Sequence, residues 1–166
     1  MMGIGFLRSG NRDREVARQR VMALHGRIVE EVLEWTAGDR LGVADRFSLR
    51  FEVMVLAVSV VMVSVKEDRE LVQGLWDMTF EGFEESLRGR GVNDIRIGSR
   101  MRELIQHAMG RSRAYMDALN GHDTEALGRA IVRNVFGGEP PRQETVEILL
   151  SSVLNLPNRV SGGINS

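Results

Sequence analysis

The stretch FEVMVLAVSVVMVSVK, Phe51 to Lys66, constrains this chain more than any other. Valine favours strands, but the run lacks the in-out alternation of a half-buried strand. Its length settles the type. As a strand, Phe51 to Val65 would extend roughly 50 Å, too long for a domain of this size, whereas a helix spans about 22 Å. Thirteen residues separate Glu52 from Lys66, against the ~20 needed to cross a bilayer. The reading is a helix over residues 51–65, buried on most sides, with other helices packed around it.

A chain of 166 residues supports one core. Hydrophobic residues at 43% and charged ones at 27% describe a globular protein rather than a disordered one. The net charge of −1 removes the general attraction to polyanions, so no nucleic-acid partner is expected. With no cysteine there is no disulfide framework and no thiolate chemistry, which fits a reducing, cytoplasmic setting.

Around the apolar run the pattern is helical. Val16, Val21, Leu24, Ile28, Val32 and Trp35 recur at helical spacing from Asp13 onward. Glu67 to Arg88 carries Leu71, Leu75, Phe83 and Leu87 on one side and an acidic stripe, Asp77, Glu81, Glu84 and Glu85, on another. A long helix follows from Met101 to Leu119. Asp123 or Thr124 caps the next, which Gly137 and Gly138 end, and Pro140 and Pro141 open a last one reaching Leu156. The expectation is an all-α, single-domain bundle of about six helices over residues 13–156, with flexible tails at 1–12 and 157–166. Ile4, Phe6, Leu7 and Arg8 in the first tail suit peripheral contact with a membrane surface.

Between two of these helices, SLRGRGVNDIRIGSR places glycines 89, 91 and 98 among arginines. It is no dinucleotide cradle, because Asp94 stands where the third glycine belongs and a helix precedes it; nor does it carry the Gly-Lys-Ser/Thr of a phosphate loop. It reads as a corner, with Gly89 or Gly91 left-handed and Val92, Ile95 and Ile97 plugging the gap beneath. His25, His107 and His122 do not converge in a ligand motif, and the four-residue spacing of Glu103 and His107 suits a surface helix pair. No Gly-x-Ser-x-Gly is present. No cofactor, metal site or catalytic residue is expected. Trp76 and Phe80 fall off the best core line of their helix and are candidate anchors for a partner.

At this corner the sequence resembles the ubiquinol-cytochrome c chaperone family, assembly factors of respiratory complex III. The resemblance rests on Ser86-Leu87-Arg88, Gly91-Val92, Asp94-Ile95 and Arg100-Met101-Arg102, and continues through Gly110-Arg111, Ala114-Tyr115 and Arg133-Asn134-Val135-Phe136, with Arg50-Phe51-Glu52 upstream. It spans about Leu24 to Gly138. The chain departs from the family pattern at Ala57 or Val58, where a histidine is frequent, at Ala108-Met109, where an aromatic pair is usual, and at EWTAGDR, in place of a proline-aromatic stretch.

The resemblance implies an all-helical, non-enzymatic chaperone that binds newly made cytochrome b in the cytoplasm, at the inner face of the membrane, and escorts it into the complex. The docking face expected for that client combines Trp76, Asp77, Phe80, Glu81 and Glu84 with Arg88, Arg96 and Arg100. A helical module enclosing a small hydrophobic molecule near Val58 and Met62 is the alternative, and a metal-dependent helical enzyme a weaker third.

Overall fold

The computed structural model describes residues 4–43, 46–139 and 142–162, and the side chains of all of these except residues 4–11 and 46. The helices among them are α1 (Ile4–Trp35), α2 (Arg46–Ser64), α3 (Arg69–Gly89), α4 (Asp94–Asn120), α5 (Thr124–Val135) and α6 (Gln143–Ser161). Strands are absent from the described residues, and the chain is an all-α single domain.

α2 is the axis. Val53, Val55, Leu56, Ala57, Val58 and Val61 have no exposed surface at all, and these positions point in every direction around a helix. Such encirclement requires neighbours on all sides, and α2 packs against each of the other five helices. Each fully buried valine or leucine contributes about 1.5–3 kcal/mol relative to exposure. The window Phe47–Ser64, mean hydropathy 1.9, is long and apolar enough to cross a membrane, yet 72% of it is buried within the bundle. The hydroxyl of Ser59 avoids an unpaired burial by donating to the Val55 carbonyl at 2.6 Å.

Polar residues punctuate the helices. Asp68, Asn93 and Asp123 accept from the backbone N–H groups of Leu71, Arg96 and Ala126 at 3.0, 3.0 and 2.8 Å, each cap contributing about 1 kcal/mol. At the corner after α3, Gly91 takes the left-handed conformation with φ +77°. Ile97 is buried and Val92 partly so, but Ile95, expected to plug the same gap, is 90% exposed. The physical reason is register: once Asn93 caps α4, Ile97 and Met101 face the core and Ile95 faces away.

Several boundaries also differ from expectation: α2 begins at Arg46 rather than Phe51, and α4 at Asp94 rather than Met101. Helical backbone begins at Ile4, within the segment expected as a tail, and α6 continues through Pro157 to Ser161. The proline is tolerated because Leu156 and Val160, four apart, are both buried, and that packing outweighs one lost backbone hydrogen bond. The Val160 carbonyl at the helix end accepts from Arg27 at 2.7 Å, and mid-helix the Ser152 carbonyl, ahead of the proline, accepts from Arg159 at 3.3 Å. Of the expected tails, residues 1–3 and 163–166 lie outside the described residues. α1 and α3 are in close contact at Gly74, where a Cβ would stand 2.6 Å from Val21 Cγ2.

Candidate functional site

Several separated sequence motifs converge between α2, α4 and α5. Glu52, at the start of the apolar run, lies 2.7 Å from the Nε of Arg111, and the Arg111 guanidinium stands 6.0 Å from the Phe51 ring. One helical turn further along α4, the fully buried Tyr115 hydroxyl accepts from Asn134 of α5 at 3.1 Å. Ser59 and Ser112 share a buried hydrogen bond of 2.8 Å. Arg50-Phe51-Glu52, Gly110-Arg111, Ala114-Tyr115 and Arg133-Asn134 are thus parts of one polar seam in an otherwise apolar interior.

Burial raises the Glu52 carboxyl to about 7, against the lowering pull of Arg111. It likewise raises the Tyr115 hydroxyl, the Asn134 hydrogen bond opposing the shift. Glu52–Arg111 ties α2 to α4 and Tyr115–Asn134 ties α4 to α5, so the seam is a joint between three helices. Among the described residues no group of three or more histidine or carboxylate side chains is placed to hold a metal ion. Glu103 pairs with Arg100 at 3.0 Å rather than with His107.

The face expected on α3 is only partly assembled. Asp77, Glu81, Glu84 and Arg88 follow one another at spacings of four, three and four, a single line along the helix. Asp77 accepts from Gln73 at 2.7 Å, and Glu84 pairs with Arg88 at 2.7 Å. Trp76 and Phe80 are half-buried and belong to an aromatic ladder: Trp76 meets Phe80 edge-on at 4.9 Å, Phe80 lies 6.4 Å from Phe83, and Phe83 4.9 Å from Phe51. Arg96 and Arg100 stand beyond the corner on α4.

What the sequence reading missed is an open apolar groove between α5 and α6. Gly128, Val132, Val146 and Leu150 line it, Glu125, Arg129 and Arg133 stand along it, and its volume is about 540 Å³. A signal for it was present in the doubled apolar pairs Ile131-Val132 and Leu149-Leu150. Ile131 and Leu149 are buried, leaving Val132 and Leu150 half-covered on the adjoining face. A second groove, of about 370 Å³, runs between α1 and α6 beside Trp35 and Ile148. Arg159 stands at its edge, 5.7 Å from the Trp35 ring and 3.1 Å from the Glu31 carboxylate. Val58 and Met62 line neither groove, and Val58 is packed without residual exposure.

Comparison with known proteins places this architecture. The crystal structure of the Cbp3 homolog from Brucella abortus superposes with a TM-score of 0.68 at 23% identity, covering 95% of this chain and 89% of that one. This is a likeness of fold. A search of curated protein sequences returns no match. The model of the ubiquinol-cytochrome C chaperone family matches residues 39–155, well over half of the chain, and takes in the polar seam and the α3–α4 corner together. The protein therefore belongs to the ubiquinol-cytochrome C chaperone family.

Proposed function

We propose that this protein is a non-enzymatic assembly chaperone that binds newly made cytochrome b and assists its entry into the ubiquinol-cytochrome c reductase complex, acting in the cytoplasm at the inner face of the membrane. The observation that carries the reading is the open α5–α6 groove, an apolar floor with charged side chains along it in a chain of this family. An apolar client segment emerging from synthesis needs such a surface, and an amphipathic or apolar helix laid in it would cover Val132 and Leu150. The acidic line on α3, with Trp76 and Phe80 beside it and Arg88, Arg96 and Arg100 around the corner, serves as a second contact for basic loops of the same client. The solid packing at Val58 favours this reading over a module that encloses a small molecule.

Affinity capture of the tagged chain from cells assembling the complex, followed by identification of what is retained, tests the proposal. Cytochrome b is expected, and its loss on Val132→Asp/Leu150→Asp in a protein that still folds assigns the contact to the groove. Equal capture by that variant removes the groove as the site. Charge reversal of Asp77, Glu81 and Glu84 to lysine tests the α3 face in the same assay. Absence of cytochrome b from every capture overturns the reading.

A further inference from the structure

The outward line of α4 is not used by the groove, the seam or the α3 face. Ile95, Arg102, Met109 and Arg113 are spaced seven, seven and four residues apart, so they share one side of the helix, opposite the buried Leu104 and Ala108. Ile95 is 90% exposed and Met109 58%. Arg102 and Arg113 are exposed and form no ion pair among the described residues. Of the carboxylates nearby, Glu103 is held by Arg100 at 3.0 Å, while the exposed Asp94 and Asp117 sit at the two ends of the line, leaving its middle to Arg102 and Arg113.

This stripe is straight and about 27 Å long, and its two aliphatic tips stand about 21 Å apart. A protein partner draws its binding energy from a central cluster of desolvated side chains, which two isolated tips do not provide. Single-stranded nucleic acid needs aromatic faces to stack on, and the stripe has none; Tyr115, the chain's one tyrosine, is buried. A fluid layer of anionic headgroups differs from both. Its phosphates rearrange to meet separated guanidiniums while each aliphatic tip enters the boundary on its own.

We propose that the outer face of α4, from Ile95 to Arg113, docks on an anionic lipid bilayer, with the guanidiniums on headgroup phosphates and Ile95 and Met109 dipping into the boundary of the acyl chains. The contact is peripheral and reversible. It rests on α4 alone, so it stands or falls separately from client capture.

The test is co-sedimentation of the full chain with phosphatidylcholine vesicles, with and without phosphatidylglycerol. Binding is expected only with the anionic lipid, and it weakens as salt is raised. Each arginine changed to glutamine lowers partitioning about fivefold, so Arg102→Gln/Arg113→Gln lowers it roughly 25-fold. Ile95→Asp lowers it as well, without loss of helical signal, because that side chain has almost no protein neighbours. No binding to the anionic vesicles, equal binding to both kinds, or binding unchanged in the double variant each overturns the proposal. So does arginine-dependent binding of a single-stranded RNA oligonucleotide in a protein that ignores vesicles.

Discussion

α2 and the α5–α6 groove are built from the same side chains and end in opposite states. Val53, Val55 and Val58 in α2 have neighbours on all sides, whereas Val132, Val146 and Leu150 have them on one side only. Apolarity is common to both, so coverage decides the role. Surface closed off within the chain becomes stability, and surface left half-covered stays available to something outside.

The sharpest way to break that comparison is to place one charge in each region. Val58→Asp buries a carboxylate with no partner and should cost more than about 4 kcal/mol, abolishing the cooperative transition in a denaturant titration. Val132→Asp, by contrast, should move the midpoint by less than about 1 kcal/mol, since its carboxylate reaches water. Equal losses at the two sites would mean the groove is core.

The seam tests whether buried charge follows the same rule. Arg111→Met leaves Glu52 uncompensated and should cost about 3–5 kcal/mol at pH 8, an effect that shrinks as acid protonates the carboxyl. In the parent protein the folded Glu52 carboxyl, at about 7, holds its proton more tightly than its reference value of 4.5. Its contribution is therefore fully present below about 4.5 and is lost as pH rises through about 7, a decline of about 3 kcal/mol. Chemical denaturation across that window measures the slope, and Glu52→Gln should flatten it. A Glu52→Gln curve as steep as the parent's would assign the slope to another group.

A smaller effect comes from close packing alone. Gly74→Ala improves helix propensity by about 1 kcal/mol, yet its Cβ would press on Val21 Cγ2 at 2.6 Å. A net loss of about 1–2 kcal/mol is expected. Val21→Ala in the same chain should recover most of it, and thermal melts of the two variants decide the matter.

The architecture was legible from residues 51–65 because length alone separated helix from strand there, and Asp123 and Gly91 marked their helix ends as their chemistry requires. Pro157 was misleading because a local rule met a stronger distant one: the burial of Leu156 and Val160 depends on helices remote in sequence. Ile95 misled for a similar reason, its face being set by the Asn93 cap and not by its own hydrophobicity. The pairing of Glu52 with Arg111 joins residues 59 apart in sequence and leaves no trace in local spacing. Resemblance grouped those motifs correctly without saying that they touch. Trp76 and Phe80, expected off the core line, are half-buried against the core, and sequence spacing could not reveal that Trp76 meets Phe80 and Phe80 meets Phe83.

The dependence of α2 on α6 has a temporal side. About 80 residues separate the two, on the order of ten seconds of synthesis at ordinary rates. Throughout that interval the most apolar rod of the chain stands partly bare, a segment long and apolar enough to cross a membrane. Glu52 and the Ser59 hydroxyl are its marks of difference, polar groups that the finished bundle meets with Arg111 and Ser112 of α4.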